Sequence, residues 1–167
     1  ASQILLNNFL SSFPSLAIAT DDVDPEAVAT APHWDIRQIR LYMITFGLIS
    51  TLFDMLTFAL LIAVYQAKEP LFQTTWFVIS LLTQLAVVLV LRTRRPFWKS
   101  KPGGVLLAST LAVGAGASVL PYLGAVSGWI GFVPLPLLLL LSGLGIVALY
   151  IATTEVAKLV FYARARY

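Results

Sequence analysis

The chain of 167 residues has no cysteine and a single histidine, His33. Disulfides, thiolate metal centres and cysteine nucleophiles are therefore excluded. One histidine cannot build a multi-histidine metal site. Charge is scarce as well: only 11% of the residues are Asp, Glu, Lys or Arg, against 59% hydrophobic. The mean hydropathy is +0.87. Soluble domains carry about 25% charged residues, so this composition excludes an ordinary water-soluble fold and implies an integral membrane protein. The net charge of +3 is not a nucleic-acid footprint, because the cations sit in connectors between apolar spans, where they report topology. The lipid bilayer is the first partner implied, no nucleic acid is expected, and no cofactor motif occurs. The opening "ASQILL" lacks the basic n-region of a cleavable signal peptide and has no initiator Met, so a processed or longer parent chain is expected.

A hydrocarbon core of about 30 Å needs roughly 20 apolar residues of helix. Residues 41–65, 72–91, 105–123 and 133–152 meet that standard. A fifth stretch, 3–19, is shorter, more polar and interrupted by Pro14. The expected fold is an all-α integral membrane bundle of five transmembrane helices, the first short and broken near Pro14, in one membrane domain over 1–167.

The connectors orient this bundle. Arg37 and Arg40 close the segment 20–40, and Arg92, Arg94, Arg95, Lys99 and Lys101 fill the segment 92–104. Lys158, Arg164 and Arg166 follow the last span. If five segments cross alternately, these ten cations share one side and Lys68 alone lies on the other. The positive-inside bias makes 20–40 and 92–104 cytoplasmic loops, with the C-terminus cytoplasmic and the N-terminus outside, in the inner (plasma) membrane. It also requires the first segment to cross. Trp76, Trp129 and Tyr122 are expected near the outer interface, Trp34 and Trp98 near the inner one. The small residues of "VGAGAS" (113–118) suit close helix contact or a merely flexible helix, and "LPLLLLL" (135–141) reads as lipid-facing bulk.

Polar groups inside such spans are costly and therefore informative. In the first segment Asn8, Ser11, Ser12 and Ser15 recur at three- and four-residue spacing and share a helical face. Pro14 has no N–H and clashes with the Leu10 carbonyl, so a freed carbonyl could serve as a cation ligand, as in broken transporter helices. The alternative is a proline kink whose Asn and Ser side chains bond to neighbouring helices. In the second span Asp54 sits near the centre with Thr51 and Thr57 three residues away on one face. It should turn inward, as part of an ion path or a helix-locking hydrogen bond, or as a protonated or paired structural acid. Gln84, near Ser80 and Thr83, is the main polar group of the third span, suited to an interhelical amide bond or to an ion path. Glu155 and Lys158 read as an interfacial i,i+3 ion pair. Asp21, Asp22, Asp24 and Glu26 could offer oxygens to a divalent ion but lack EF-hand spacing, so a solvated loop is expected. No catalytic residue and no metal cluster is apparent.

Together "NNFLSSFP", "DDVDPE", "WDIRQIRLYMITFGLISTLFDMLTFALL", "FQTTWFVISLLTQL", "LRTRRPFWKSKP" and "GFVPLP" resemble the C-terminal membrane region of magnesium-transporting P-type ATPases, in order and spacing. The resemblance implies that the five spans correspond to the sixth through tenth transmembrane helices of such a pump. It further implies that Asn8, Ser11, Ser12 and Gln84 lie nearest the cation pathway, on an unwound sixth helix and on the eighth. Where the family pattern carries acids, this chain has Ser12, Ile79 and Gln84. The phosphorylated Asp-Lys-Thr-Gly motif and the nucleotide-binding domain of these pumps do not occur in it, so the chain by itself is not expected to be an enzyme. Two functions follow. One is a structural or accessory subunit derived from such a pump, working with other membrane subunits of a larger complex. The other is a C-terminal membrane fragment of a magnesium pump that takes part in cation transport. An independent channel fits poorly, with so few polar groups to line a pore.

Overall fold

The computed structural model describes residues 2–21 and 36–164. Asp22, Asp24, Glu26, His33, Trp34 and Arg166 lie outside the described residues. The described residues contain helices and no strand, and form an all-α membrane bundle. Its helices are α1 (Ser2–Ala17), α2 (Ile36–Ala59), α3 (Glu69–Leu91), α4 (Gly104–Val119), the short α5 (Ala125–Ile130) and α6 (Leu137–Arg164). Four helical segments are long and apolar enough to cross a membrane: Ile36–Val64, Glu69–Leu91, Gly104–Tyr122 and Leu137–Ala163.

α1 has 16 residues and falls below that length. Its two ends are nevertheless tied to opposite ends of the bundle. Gln3 Nε2 donates to the Gly131 carbonyl at 3.1 Å, and the Asp21 carboxylate accepts from Arg92 at 2.8 Å beyond the end of α3. The 18 steps between Gln3 and Asp21 cover about 27 Å at helical rise, close to a hydrocarbon thickness. The expected break near Pro14 is instead a continuous helix that tightens into a 3-10 turn over Ile18–Thr20. Pro14 removes one amide, but Ser12 Oγ bonds the Asn8 carbonyl at 2.7 Å and Ser15 Oγ the Ser11 carbonyl at 2.9 Å, bracing the turn on either side of Leu10.

Boundaries follow local chemistry. Pro70 occupies the first turn of α3, where a missing N–H costs nothing. α2 ends in a π-turn over Leu60–Val64 and then reverses at Gln66, whose φ is 45°. The last span begins at Leu137 rather than 133 because Pro134 and Pro136 keep the residues before them extended. It continues to Arg164, well past the expected end at 152. α5 lies within a connector that hydropathy alone leaves unstructured. Gly131, at φ 78°, ends it with a Phe132 N–H to Ser127 carbonyl bond of 2.8 Å, a Schellman closure.

α3 is the central helix, packed by α1, α4 and α6, with α2 lying on α6. Phe77, Leu81, Leu85, Leu61, Leu139 and Ala117 form the main buried cluster. Leu135 and Leu139 belong to it, so the leucine run is lipid-facing only in part, at Leu137, Leu138 and Leu141. In lipid, burial of apolar surface does not itself drive helices together, so close fit and polar bonds must. Gly143 supplies the fit between α6 and α3: a Cβ there would stand 2.8 Å from Ile79 Cδ1.

The basic ends of the helices gather at one end of the bundle. Arg94 lies over the Tyr162 ring, and Tyr42 stacks edge-on against Phe161. Two buried ionic knots fasten this end. Arg92 donates to Asp21 and to the Ser100 carbonyl, while Asp21 Oδ1 accepts from Gly103 N at 2.6 Å, ahead of α4. Lys158 Nζ, wholly buried, donates to the carbonyls of Val90 (2.9 Å) and Arg95 (2.8 Å) and pairs with Glu155 at 2.8 Å. The expected interfacial pair is thus a buried clamp on the C-terminal end of α3. Trp98 stands exposed at this end, with Trp129 and Tyr122 exposed toward the other.

Candidate functional site

Two groups of polar residues line up at membrane depth, one on α1 and one among α2, α3 and α6. The inward face of α1 carries Gln3, Asn7, Pro14 and Ala17, all buried at helical spacing. Asn7 Nδ2 donates to Ser80 Oγ of α3 at 3.3 Å. Its outward face carries Asn8, Ser12 and Ser15, all exposed, with Ser11 half-buried at its edge. The hydroxyls on that face donate to the backbone of their own helix, Ser11 and Ser12 both to the Asn8 carbonyl. No described helix covers Asn8 or Ser12. Hydroxyl protons spent on carbonyls leave oxygens that can only accept, which suits a cation more than an anion.

The second group surrounds a cavity of about 130 Å³ between α2, α3 and α6. It is lined by Ser50, Phe53, Asp54 and Thr57 of α2, by Ile79, Ser80, Thr83, Gln84 and Val87 of α3, and by Tyr150 of α6. Ser50, Ser80 and Tyr150 are the central residues of their spans, so the cavity lies near the mid-plane. Ser50 Oγ and Tyr150 Oη are hydrogen-bonded at 2.9 Å. Thr57 Oγ1 donates to the Phe53 carbonyl at 2.8 Å and Thr83 Oγ1 to the Ser80 carbonyl at 2.9 Å.

Asp54 and Gln84 therefore meet in one cavity, whereas Asn8, Ser11 and Ser12 stand apart from it on the far side of α1. Gln84 is separated from that face by the Asn7–Ser80 contact. Among the described residues no cluster of three His, Cys, Asp or Glu could hold a metal. Asn7 and Tyr150 did not emerge from the sequence as site residues. For Asn7 the signal was available: buried positions 3, 7, 14 and 17 repeat at helical spacing, which puts Asn7 inward and Asn8 outward. For Tyr150 nothing local marks it, since its role comes from Ser50, 100 residues away.

Comparison with known proteins places this arrangement. The chain is 35% identical over 166 residues to "Magnesium-transporting ATPase, P-type 1" of Salmonella typhimurium (strain LT2), covering 96% of this chain and 18% of that protein. The protein of the same description from Escherichia coli (strain K12) is likewise 35% identical, with the same coverage. The chain thus spans less than a fifth of the length of these relatives. The family model described as "Cation transporting ATPase, C-terminus" matches residues 1–160. The chain belongs to this family, the C-terminal membrane region of cation-transporting P-type ATPases.

Proposed function

We propose that the chain acts as the C-terminal membrane module of a magnesium-transporting P-type ATPase, and that the outward face of α1 borders the cation path. The carrying observation is the uncovered row of Asn8, Ser12 and Ser15 on a helix that is buried along Gln3, Asn7, Pro14 and Ala17. Amide and hydroxyl groups facing lipid are costly. Here they are aligned on one face, so further membrane helices, with water or an ion, are their natural cover. The hard oxygen ligands fit magnesium, which keeps several of its waters and needs few direct protein contacts. Catalysis would reside in cytoplasmic domains beyond the matched region. α3, clamped by Lys158 and Arg92, would give α1 a rigid backing. By the positive-inside rule, the end bearing Arg92–Lys101 faces the cytoplasm.

A second reading rests on Ser12 and Gln84, neutral residues at positions where the family pattern carries acids. It makes the chain a structural subunit of a larger membrane complex, covered at α1 by partner helices and moving no ions. Intact mass of the native polypeptide together with magnesium-dependent ATP hydrolysis separates the two. The pump reading expects ATPase activity in a polypeptide several-fold heavier than 18.2 kDa or in a stoichiometric complex with one. A polypeptide of about that mass in a complex without ATPase activity would replace it with the subunit reading.

A further inference from the structure

We infer that the cavity between α2, α3 and α6 binds one alkali cation, with the Asp54 carboxylate as its counter-charge. This site is separate from the outward face of α1 and does not depend on the proposed pump function. An ionised acid near the mid-plane is tolerated only when something balances it. No lysine or arginine lines the cavity, and the other ionisable group on its wall is Tyr150. The hydroxyl protons of Thr57 and Thr83 are committed to backbone carbonyls, so any further bond these side chains make is one they accept. Ser80 Oγ accepts from Asn7 and keeps its own proton to donate. Asp54, the amide oxygen of Gln84 and the hydroxyls of Thr57 and Thr83 thus offer acceptor oxygens on the wall, and an ionised Asp54 would give it one negative charge. A divalent ion would keep a net positive charge in a low-dielectric site, and it prefers more carboxylates than one. A single positive charge balances. The volume of about 130 Å³ also leaves room for a few waters at about 30 Å³ each to complete the coordination.

The test uses the full native protein in detergent, with binding of radioactive sodium and the infrared band of a protonated carboxyl read on the same samples. An alkali-ion occupant gives saturable sodium binding that Asp54→Asn abolishes. A carboxyl band that titrates with pH in the absence of sodium binding would show Asp54 held as a neutral acid and no ion site. Thr83→Val keeps shape and charge, and stands in should Asp54→Asn fail to fold. It is expected to weaken sodium binding about tenfold. The inference is overturned if no saturable sodium binding is seen, if both variants leave it unchanged, or if equimolar magnesium displaces the sodium.

Discussion

Lys158 Nζ lies 2.8 Å from Glu155 Oε2 one turn away on α6, and the same ammonium donates to the carbonyls of Val90 and Arg95. Two of its protons are thereby donated to carbonyls while its charge faces the carboxylate, and Glu155 Oε1 accepts from Phe97 N at 3.2 Å. One lysine thus satisfies the end of α3, holds the connector after it and neutralises a buried acid. A buried pair is weak evidence of net stabilisation, but removing one partner leaves the other charge uncompensated. Lys158→Met is expected to destabilise the protein by about 3–5 kcal/mol. Adding Glu155→Gln should recover part of that loss. Denaturant unfolding in mild detergent checks it, and a double variant no more stable than Lys158→Met would contradict it.

At the second knot, Gly103 presses on the end of α1. A Cβ there would meet Asp21 Cα and the Thr20 carbonyl, both at 3.1 Å, and backbone atoms yield little. Gly103→Ala is expected to loosen the Asp21–Arg92 pair, seen as faster proteolysis between residues 92 and 103. Cleavage at an unchanged rate would show that the connector accommodates the methyl.

Gly143 tests the fit of α6 on α3. Gly143→Ala drives its Cβ to 2.8 Å from Ile79 Cδ1 and 2.9 Å from its Cγ1. Overpacking of this kind costs about 1–3 kcal/mol. Ile79→Ala in the same protein removes both colliding atoms and should make the alanine tolerable. A cost that persists in the double variant would place the strain elsewhere.

The charge bias predicts an orientation that can be read chemically, because the chain has no cysteine of its own. With other cysteines of the native protein replaced, Leu123→Cys should react with an impermeant maleimide in intact cells. Lys101→Cys should react only after permeabilisation. The reverse pattern would invert the bundle.

Much of this architecture is legible in the residues. Four long apolar runs, their basic connectors and the polar row of α1 give the membrane bundle and the clustering of cations at one end. The inward placement of Asp54 follows from the cost of exposing an acid to lipid. Details that depend on distant partners were not legible. Lys158 looks like an interfacial cation in sequence because its acceptors, the carbonyls of Val90 and Arg95, are backbone groups more than 60 residues away. Pro14 looks like a helix breaker because the hydroxyl bonds on either side of it cannot be seen until the helix is built. Gln84 and Asp54 each suggest an ion path, yet only packing of α2 on α3 and α6 shows that they share one cavity, apart from Asn8.

The most direct test of the account compares two neighbouring asparagines in the full native protein, by magnesium-stimulated ATP hydrolysis and by thermal stability. Asn8→Ala removes an exposed amide on the outward face of α1 and should lower the ATPase activity at least tenfold while leaving stability within about 0.5 kcal/mol. Asn7→Ala breaks the bond to Ser80 and should cost about 0.5–1.5 kcal/mol of stability, with the smaller effect on turnover. Full activity in Asn8→Ala would contradict a cation path along that face.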